Sequence, residues 1–321
     1  MIEFQLIRQI QHELSLHAVA GEASGVKLGI GDDGAVLELA AGKHLVAVTD
    51  TLNAGIHFPI NTSPYDIGYK CLAVNLSDLA AMGAHPCWAL LSLSLPDAQP
   101  EWVHSFIAGF KSLASIHGLT LVGGDTTRGP LSVSLTALGV VKPGKQLTRS
   151  GAKPGDLLIV SGSIGGAARV LKLLQSGDSV RQRELLDRPE PRVGLGKALS
   201  GYASACIDVS DGLLADLGHL LKASGCGARL EIAKLPKAPL LDELDDGESW
   251  TYQLSGGDDY ELLFTLPGSR RHMLQSWRDQ LAIDLSIIGE IEDGEGVCCI
   301  APDGTVYEPQ NVGFEHFSQI R

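Results

Sequence analysis

The sequence lacks several features, and each absence narrows what the chain can be. No stretch approaches the ~18 consecutive apolar residues that a membrane-spanning helix takes. No basic leader precedes an apolar run: MIEFQLIRQIQHEL carries helical periodicity over residues 2–14 and reads as a folded amphipathic helix, which predicts a cytoplasmic protein. The six cysteines, Cys71, Cys87, Cys206, Cys226, Cys298 and Cys299, form no CxxC pair, which argues against structural zinc and a disulfide framework. Positive charge is in deficit, with 25 Lys and Arg against 38 Asp and Glu and a net charge of −13. That disfavours nucleic acid as a partner, because neutralising its backbone takes clustered cations. A polyphosphate substrate stays open, provided that metal ions screen it. No fixed-period repeat and no low-complexity tract is present.

Two nucleotide-binding signatures are also missing, although near matches stand in their place. Gly29-Ile30-Gly31-Asp32-Asp33-Gly34 fits GxGxxG in letters. The dinucleotide fingerprint needs a strand before it and a helix after it, whereas here a strand is expected to follow and two acids would repel a bare pyrophosphate. Gly139 to Gln146 approaches a Walker A loop, but Gln146 stands where Ser or Thr would hold magnesium, and no helix is expected next.

What is there is a globular composition: 321 residues, 44% hydrophobic and 20% charged, enough for two domains that each bury a core. The first part alternates strands (Ala35–Leu39, His44–Val48, Cys87–Leu95, Leu131–Val141) with helices. One helix opens at Ser63-Pro64 and ends at Gly83, and another runs Glu101–His117. KPGKQLTRSGAKPGD, residues 142–156, has no hydrophobic period and marks the boundary, giving domains 1–145 and 146–321. The second part restarts with a strand at Leu157–Ser161 and a Gly-rich turn into a helix. Strands at Cys206–Val209, Tyr260–Leu266, Leu285–Ile291 and Gly296–Ile300 follow, with helices at Asp211–Ala223 and near Ser269–Leu281.

Carboxylates stand at the ends of these apolar segments. Asp32 and Asp33 precede a strand, Asp50 ends one, Asp125 follows a short one, Asp208 and Asp211 join a strand to a helix, and Asp258 precedes another strand. Asp78 lies inside an apolar helix. Two carboxylates 4 Å apart repel by roughly 4 kcal/mol at an effective dielectric near 20, so several of them converge only around a cation. Oxygen-only ligands, with Thr49, Thr51 and Ser210 near and no His/Cys cluster, favour a hard ion such as Mg²⁺. Adjacent glycines let backbone amides approach phosphate oxygens. Local readings compete: Asp211 is placed to cap the helix after it, and Asp32, Asp125 and Asp258 can be turn residues. A lone carboxylate at Asp78 on an apolar face is hardest to explain without a function. His57 follows the Asp50 segment closely enough to reach a substrate, while His85 and His219 read as satisfied or surface residues.

Taken together, GDDGAVL, VTDTLNAGIHF, KCLAVNLSDLAAMGA, GGDTTRGP, LTRSGAKPGD, DVSDGLLADLGHL and SGGDDYELLFT resemble the bacterial thiamine-monophosphate kinase family. The resemblance runs from Gly31 to Phe317 in the family's order, within a superfamily that includes aminoimidazole ribonucleotide synthetase and selenophosphate synthetase. It implies an α+β fold of two aminoimidazole ribonucleotide synthetase-like domains. The N-terminal one would pair in a homodimer to build a shared β-barrel, and the C-terminal one would be a mixed sheet with helices. It implies an enzyme of thiamine diphosphate biosynthesis that moves the γ-phosphate of ATP to thiamine monophosphate with several Mg²⁺ ions. By resemblance Asp33, Thr49, Asp50, Asp78, Asp125, Asp208 and Asp211 are metal ligands. Gly124, Asp125, Arg149 and Ser210 meet ATP, with Arg149 stabilising phosphate. His57, Glu261 and Phe314 meet thiamine phosphate. No residue acts as a general base. The family often carries Trp in a Gly-Trp-Asp-His-Phe-like stretch; here Gly313-Phe314-Glu315-His316-Phe317 puts the stacking role on Phe314, whose face would hold the thiazolium cation. A selenophosphate synthetase would need a reactive Cys near the first Gly-rich loop, and none precedes Cys71. An ATP-dependent ring-closing synthetase of the same superfamily and a non-catalytic nucleotide-binding module are the competing expectations.

Overall fold

The computed structural model describes residues 9, 10, 12, 25–97 and 99–314. The expected helix over 2–14 therefore lies outside the described residues except at Gln9, Ile10 and His12, as does the stretch from Glu315 on. The chain divides into two units, one running through Leu79 and resuming over Ala84–Gly144, the other made of Ala80–Gly83 and the chain from Lys145 on.

In the first unit a short hairpin, β1 (Val26–Leu28) and β2 (Val36–Leu37), holds the GxGxxG-like segment as its turn. The strand after those glycines is the expected one, and it removes the dinucleotide reading. A four-stranded mixed sheet follows, built from β3 (His44–Asn53), β4 (His85–Leu95), β5 (Thr120–Arg128) and β6 (Ser132–Val141) in the order β3-β6-β4-β5. Only the β4–β5 pair is parallel.

Two helices accompany this sheet, α1 (Pro64–Ala81) and α2 (Pro100–His117). Ser63 caps α1: the Asp66 amide donates to Ser63 Oγ at 3.1 Å, and that hydroxyl donates to Asp66 Oδ2 at 2.6 Å. From Lys70 to Ala81 every residue except Asp78 is buried, as expected of a helix that is apolar nearly all round. The two helices touch backbone to backbone: a Cβ on Gly68 would stand 2.0 Å from the Phe106 carbonyl oxygen, and one on Gly109 would stand 1.9 Å from that of Tyr65. Leu79 of α1 lies against Gly139 of β6, so α1 covers one face of the sheet.

The opposite face alternates small and hydroxylated side chains. Direct pairing aligns Asp125, Ser92, Ser134 and Thr51 in one row and Gly123, Leu90, Thr136 and Thr49 in the next. Leu45 is 50% exposed and Leu90 is 38% exposed on this face.

The second unit is a seven-stranded mixed sheet of β7 (Asp156–Ser161), β8 (Ala205–Val209), β9 (Gly227–Glu231), β10 (Glu261–Pro267), β11 (Leu285–Glu292), β12 (Gly296–Ile300) and β13 (Val306–Tyr307). Their order is β13-β12-β9-β11-β7-β10-β8. Its helices are α3 (Gly166–Ser176), α4 (Val193–Leu199), α5 (Leu213–Ser224), α6 (Asp246–Ser255) and α7 (Met273–Leu281). One core joins Leu158, Val160, Ile207, Leu213, Leu217, Leu263 and Ile288, which belong to β7, β8, β10, β11 and α5. Cys298 is exposed, the other five cysteines are buried, and all six are free thiols.

Candidate active site

Three acidic positions differ from the sequence expectation. Asp50 does not end its strand, because β3 continues to Asn53 through pairs with Ser134, Val133 and Ser132 of β6. Asp125 is not a turn residue; it lies inside β5, opposite Ser92 of β4. Asp78 is half-buried rather than buried, and Asp208, 4% exposed, is the enclosed acid of the predicted set.

Strand geometry then sorts the N-terminal acids. Neighbouring residues on a strand face opposite ways, so the Thr49 and Asp50 side chains do not converge on one ion. Asp50 shares the face that α1 covers, and α1 carries Asp78. Thr49 lies on the open face, three strand spacings or about 14 Å from the β5 edge where Asp125 stands. The Thr49 hydroxyl donates to the Leu135 carbonyl at 3.1 Å and accepts from Thr136 at 3.1 Å.

Asp33 and Asp125 do come together, as walls of one cavity of about 900 Å³ that also takes in Gly34, Gly124, Leu90 and Thr126. Its size suits a small-molecule ligand. Gly124 has a structural reason of its own: at φ 152° a Cβ there would stand 1.8 Å from the Leu91 carbonyl oxygen. Asp32 serves locally, accepting from the Asp33 amide at 2.9 Å.

His57 sits in the loop after β3. Its Nδ1 accepts the Asn53 amide at 2.9 Å, and its carbonyl accepts from Lys70 Nζ at 3.1 Å. Lys70 is 1% exposed, so a wholly buried ammonium holds this loop.

In the second unit the segment DVSDGLLAD makes β8, a tight turn and α5. The turn is not capped by Asp211, as the sequence had allowed. Gly212 occupies the cap position without a side-chain bond, and the acceptor is Asp216, which sequence reasoning passed over. Its Oδ2 takes the amides of Ser210, Asp211 and Gly212 at 3.0, 3.1 and 3.2 Å. Burial, reinforced by the charges of Asp208 and Asp211, pushes the Asp216 carboxyl up to about 7 against the pull of those amides.

The SGGDDYE segment packs on the same turn. Asp258 and Tyr260 adopt left-handed conformations, rare for a tyrosine, with their amides donating to Ser210 and Val209 carbonyls at 2.9 and 2.8 Å. Asp258 thus has the turn role anticipated as its local alternative. Asp259 caps α3, accepting the Gly165 amide at 2.7 Å and that of Ala167 at 3.4 Å.

Glu261, 5% exposed at the start of β10, is held within the unit. Arg192 grips its carboxylate with Nε and Nη2 at 2.7 and 2.5 Å, and Ser161 Oγ donates to it at 2.5 Å. Neither Arg192, in an unremarkable PEPRVGLGK stretch, nor Ser161 was legible as a partner. Arg149 is exposed on a segment fixed by the Ser224 hydroxyl, which donates to its carbonyl at 3.0 Å. Phe314 is 53% exposed, and its amide donates to the Asp211 carbonyl at 2.9 Å.

Among the described residues no three His, Cys, Asp or Glu side chains form a metal cage. Carboxylates in small sets, with all-oxygen chemistry, fit an ion that keeps most of its waters and is shared with a substrate phosphate, which is the habit of Mg²⁺.

Comparison with known proteins gives the same partition of the chain. The AIR synthase related protein N-terminal domain matches residues 31–141, and the corresponding C-terminal domain matches residues 153–301. The thiamine-monophosphate kinase of Salmonella typhimurium is 45% identical over 304 residues, 91% of this chain and 93% of that protein. The chain belongs to the thiamine-monophosphate kinase family. Its fold follows that family's solved members. The crystal structure of the Stenotrophomonas maltophilia K279a enzyme superposes with a TM-score of 0.86 at 45% identity, covering 96% of this chain and 98% of that one. AaThiL complexed with AMPPCP and TMP superposes with a TM-score of 0.75 at 31% identity, covering 98% and 97%. No helix among the described residues is long and apolar enough to cross a membrane.

Proposed function

We propose that this chain is a thiamine-phosphate kinase, transferring the γ-phosphate of ATP to thiamine monophosphate to give thiamine diphosphate and ADP. The observation that carries this reading is likeness along nearly the whole chain to thiamine-monophosphate kinases, at 45% identity over 91% of its length. A relative solved with an ATP analogue and TMP together adds support.

The acceptor is a phosphate monoester with a second pKa near 6, by analogy with phosphoserine. At neutral pH it is largely a dianion and already a nucleophile, so no residue has to remove a proton. The difficulty is bringing two polyanions together. Asp33 and Asp125 in the cavity, Asp50 and Asp78 on the helix-covered side, Thr49, and Asp208 and Asp211 beside the α5 turn are the residues that would hold Mg²⁺. Mg²⁺ held by these residues would supply the positive charge that screens the phosphates. Gly124, Ser210 and Arg149 take ATP, the last adding positive charge. His57 and Phe314 take thiamine phosphate, together with Glu261, whose carboxylate Arg192 and Ser161 keep in place. The enzyme works as a homodimer through its N-terminal sheet. Six free thiols support a reducing compartment such as the cytoplasm.

The test is incubation of the purified protein with ATP, Mg²⁺ and thiamine monophosphate. Thiamine diphosphate and ADP are expected in equal amounts, with inversion at a chirally labelled γ-phosphate. Absence of thiamine diphosphate overturns the assignment; retention of configuration overturns direct transfer and points to a phosphoenzyme.

A further inference from the structure

The turn between β8 and α5 is held from both sides. Its amides at Ser210, Asp211 and Gly212 all converge on one oxygen, Asp216 Oδ2. Its carbonyls at Val209, Ser210, Asp211 and Gly212 receive the amides of Tyr260, Asp258, Phe314 and Asp216 at 2.8, 2.9, 2.9 and 3.0 Å. Glycines press on it: a Cβ on Gly257 would stand 2.4 Å from the Ser210 carbonyl oxygen, and one on Gly212 would stand 2.9 Å from Ser255 backbone atoms.

Three successive amides gathered on one point make a concavity of the kind that binds anions. Here the protein's own buried carboxylate, 3% exposed, fills it. Three amide hydrogen bonds converge on one side-chain oxygen, so on the amide side Asp216 alone supplies the acceptor that fixes the turn's backbone. The Ser210 hydroxyl and the Asp211 carboxylate are therefore not needed to hold the turn that carries them.

We infer that Asp216 is a positioning residue for ATP: it sets the backbone of the turn whose Ser210 meets the nucleotide, and it occupies the amide concavity so that phosphate is not captured there. The inference rests on the kinase reading above, in which ATP lies against Ser210.

The experiment compares Asp216→Ala and Asp216→Asn with the unaltered protein in three measurements. These are calorimetric binding of a non-hydrolysable ATP analogue in the presence of Mg²⁺, KM for each substrate, and Tm. Asp216→Ala is expected to weaken analogue binding and raise KM for ATP by about tenfold or more, with KM for thiamine phosphate within about threefold of the unaltered value. Asp216→Asn keeps an acceptor oxygen at the same place and is expected to fall between, near threefold for ATP. Should Asp216→Ala not fold, the Asp216→Asn ratio decides. A lowered Tm with unchanged analogue affinity, or an equal rise in both KM values, overturns the inference and leaves Asp216 a helix cap. An unaltered protein that binds the analogue yet makes no thiamine diphosphate sinks the kinase reading instead, and the binding comparison still decides the role of Asp216.

Discussion

At His57 two backbone bonds fix the chemistry of one ring. A ring nitrogen that accepts a hydrogen bond carries no proton, so the Asn53 amide on Nδ1 leaves the neutral imidazole hydrogen on Nε2. In this tautomer the free ring position of His57 is a donor, suited to an anionic oxygen. Lysine is almost never fully buried unless its charge is used, and Lys70 uses its ammonium to hold the His57 carbonyl. Nitrogen-15 NMR at pH 8, above the ordinary imidazole value, is expected to show the Nε2–H tautomer. The side-chain nitrogen of Gln can stand near the Nε2 position and that of Asn near Nδ1. His57→Gln should thus stay within about fivefold of the unaltered kcat/KM for thiamine phosphate, and His57→Asn should lose about tenfold or more. An Nδ1–H spectrum, or Asn outperforming Gln, would count against the donor role. His57 was visible in the sequence as a candidate; its tautomer and the buried lysine behind it depend on loop closure that no local pattern encodes.

Among the elements, legibility followed local signals. Ser63-Pro64 announced α1 and Gly118 ended α2, because caps are written in adjacent residues. Asp50 and Asp125 were misplaced because Asp and Gly are depleted in strands, while here pairing with β6 and β4 overrides propensity. Helix α6 was missed for the same reason in reverse: DELDDGES reads as a loop, but Asp245 caps it by accepting the Glu248 amide at 2.9 Å. The cap of α3 comes from far along the chain, at Asp259, and it has a pH signature. Burial, with the charges of Glu261 and Asp258 adding, raises its carboxyl from 3.8 to about 8, although two amides favour the ionised form. Between those values the folded protein holds a proton that the unfolded chain has released, so this group's contribution to stability falls as pH rises from about 4 to 8. Asp259→Asn removes that slope. Thermal melts of the two proteins are expected to converge or favour the unaltered protein near pH 5 and to shift in favour of Asp259→Asn by pH 8. Parallel Tm–pH curves across this range would refute the assignment.

For the assembled molecule the telling surface is the open face of the N-terminal sheet. Its opposite face is covered by α1; on this one the β1–β2 hairpin packs through Val26, Ala35 and Leu37 against Trp88 and Val140, while the β3 side presents Leu45 at 50% exposure among threonines. Strands of about 10 residues and three strand spacings give roughly 480 Å² per copy, so flanking segments would have to supply the rest of the ~800 Å² per partner of an ordinary stable interface. The hydroxyl rows can pair with their own copy across a two-fold axis. None of this was readable from periodicity, because β3 and β6 alternate as any half-buried strand does; only the family resemblance pointed to a dimer. Sedimentation at micromolar concentration is expected to show a dimer. Leu45→Asp should weaken it by about tenfold or more, since a charge would be placed in each face. Because Thr49 shares that face, kinase activity should fall together with dimer content as the variant is diluted. A monomeric unaltered protein with full activity, or a Leu45→Asp variant that stays dimeric, would place the interface elsewhere and leave this face without a partner.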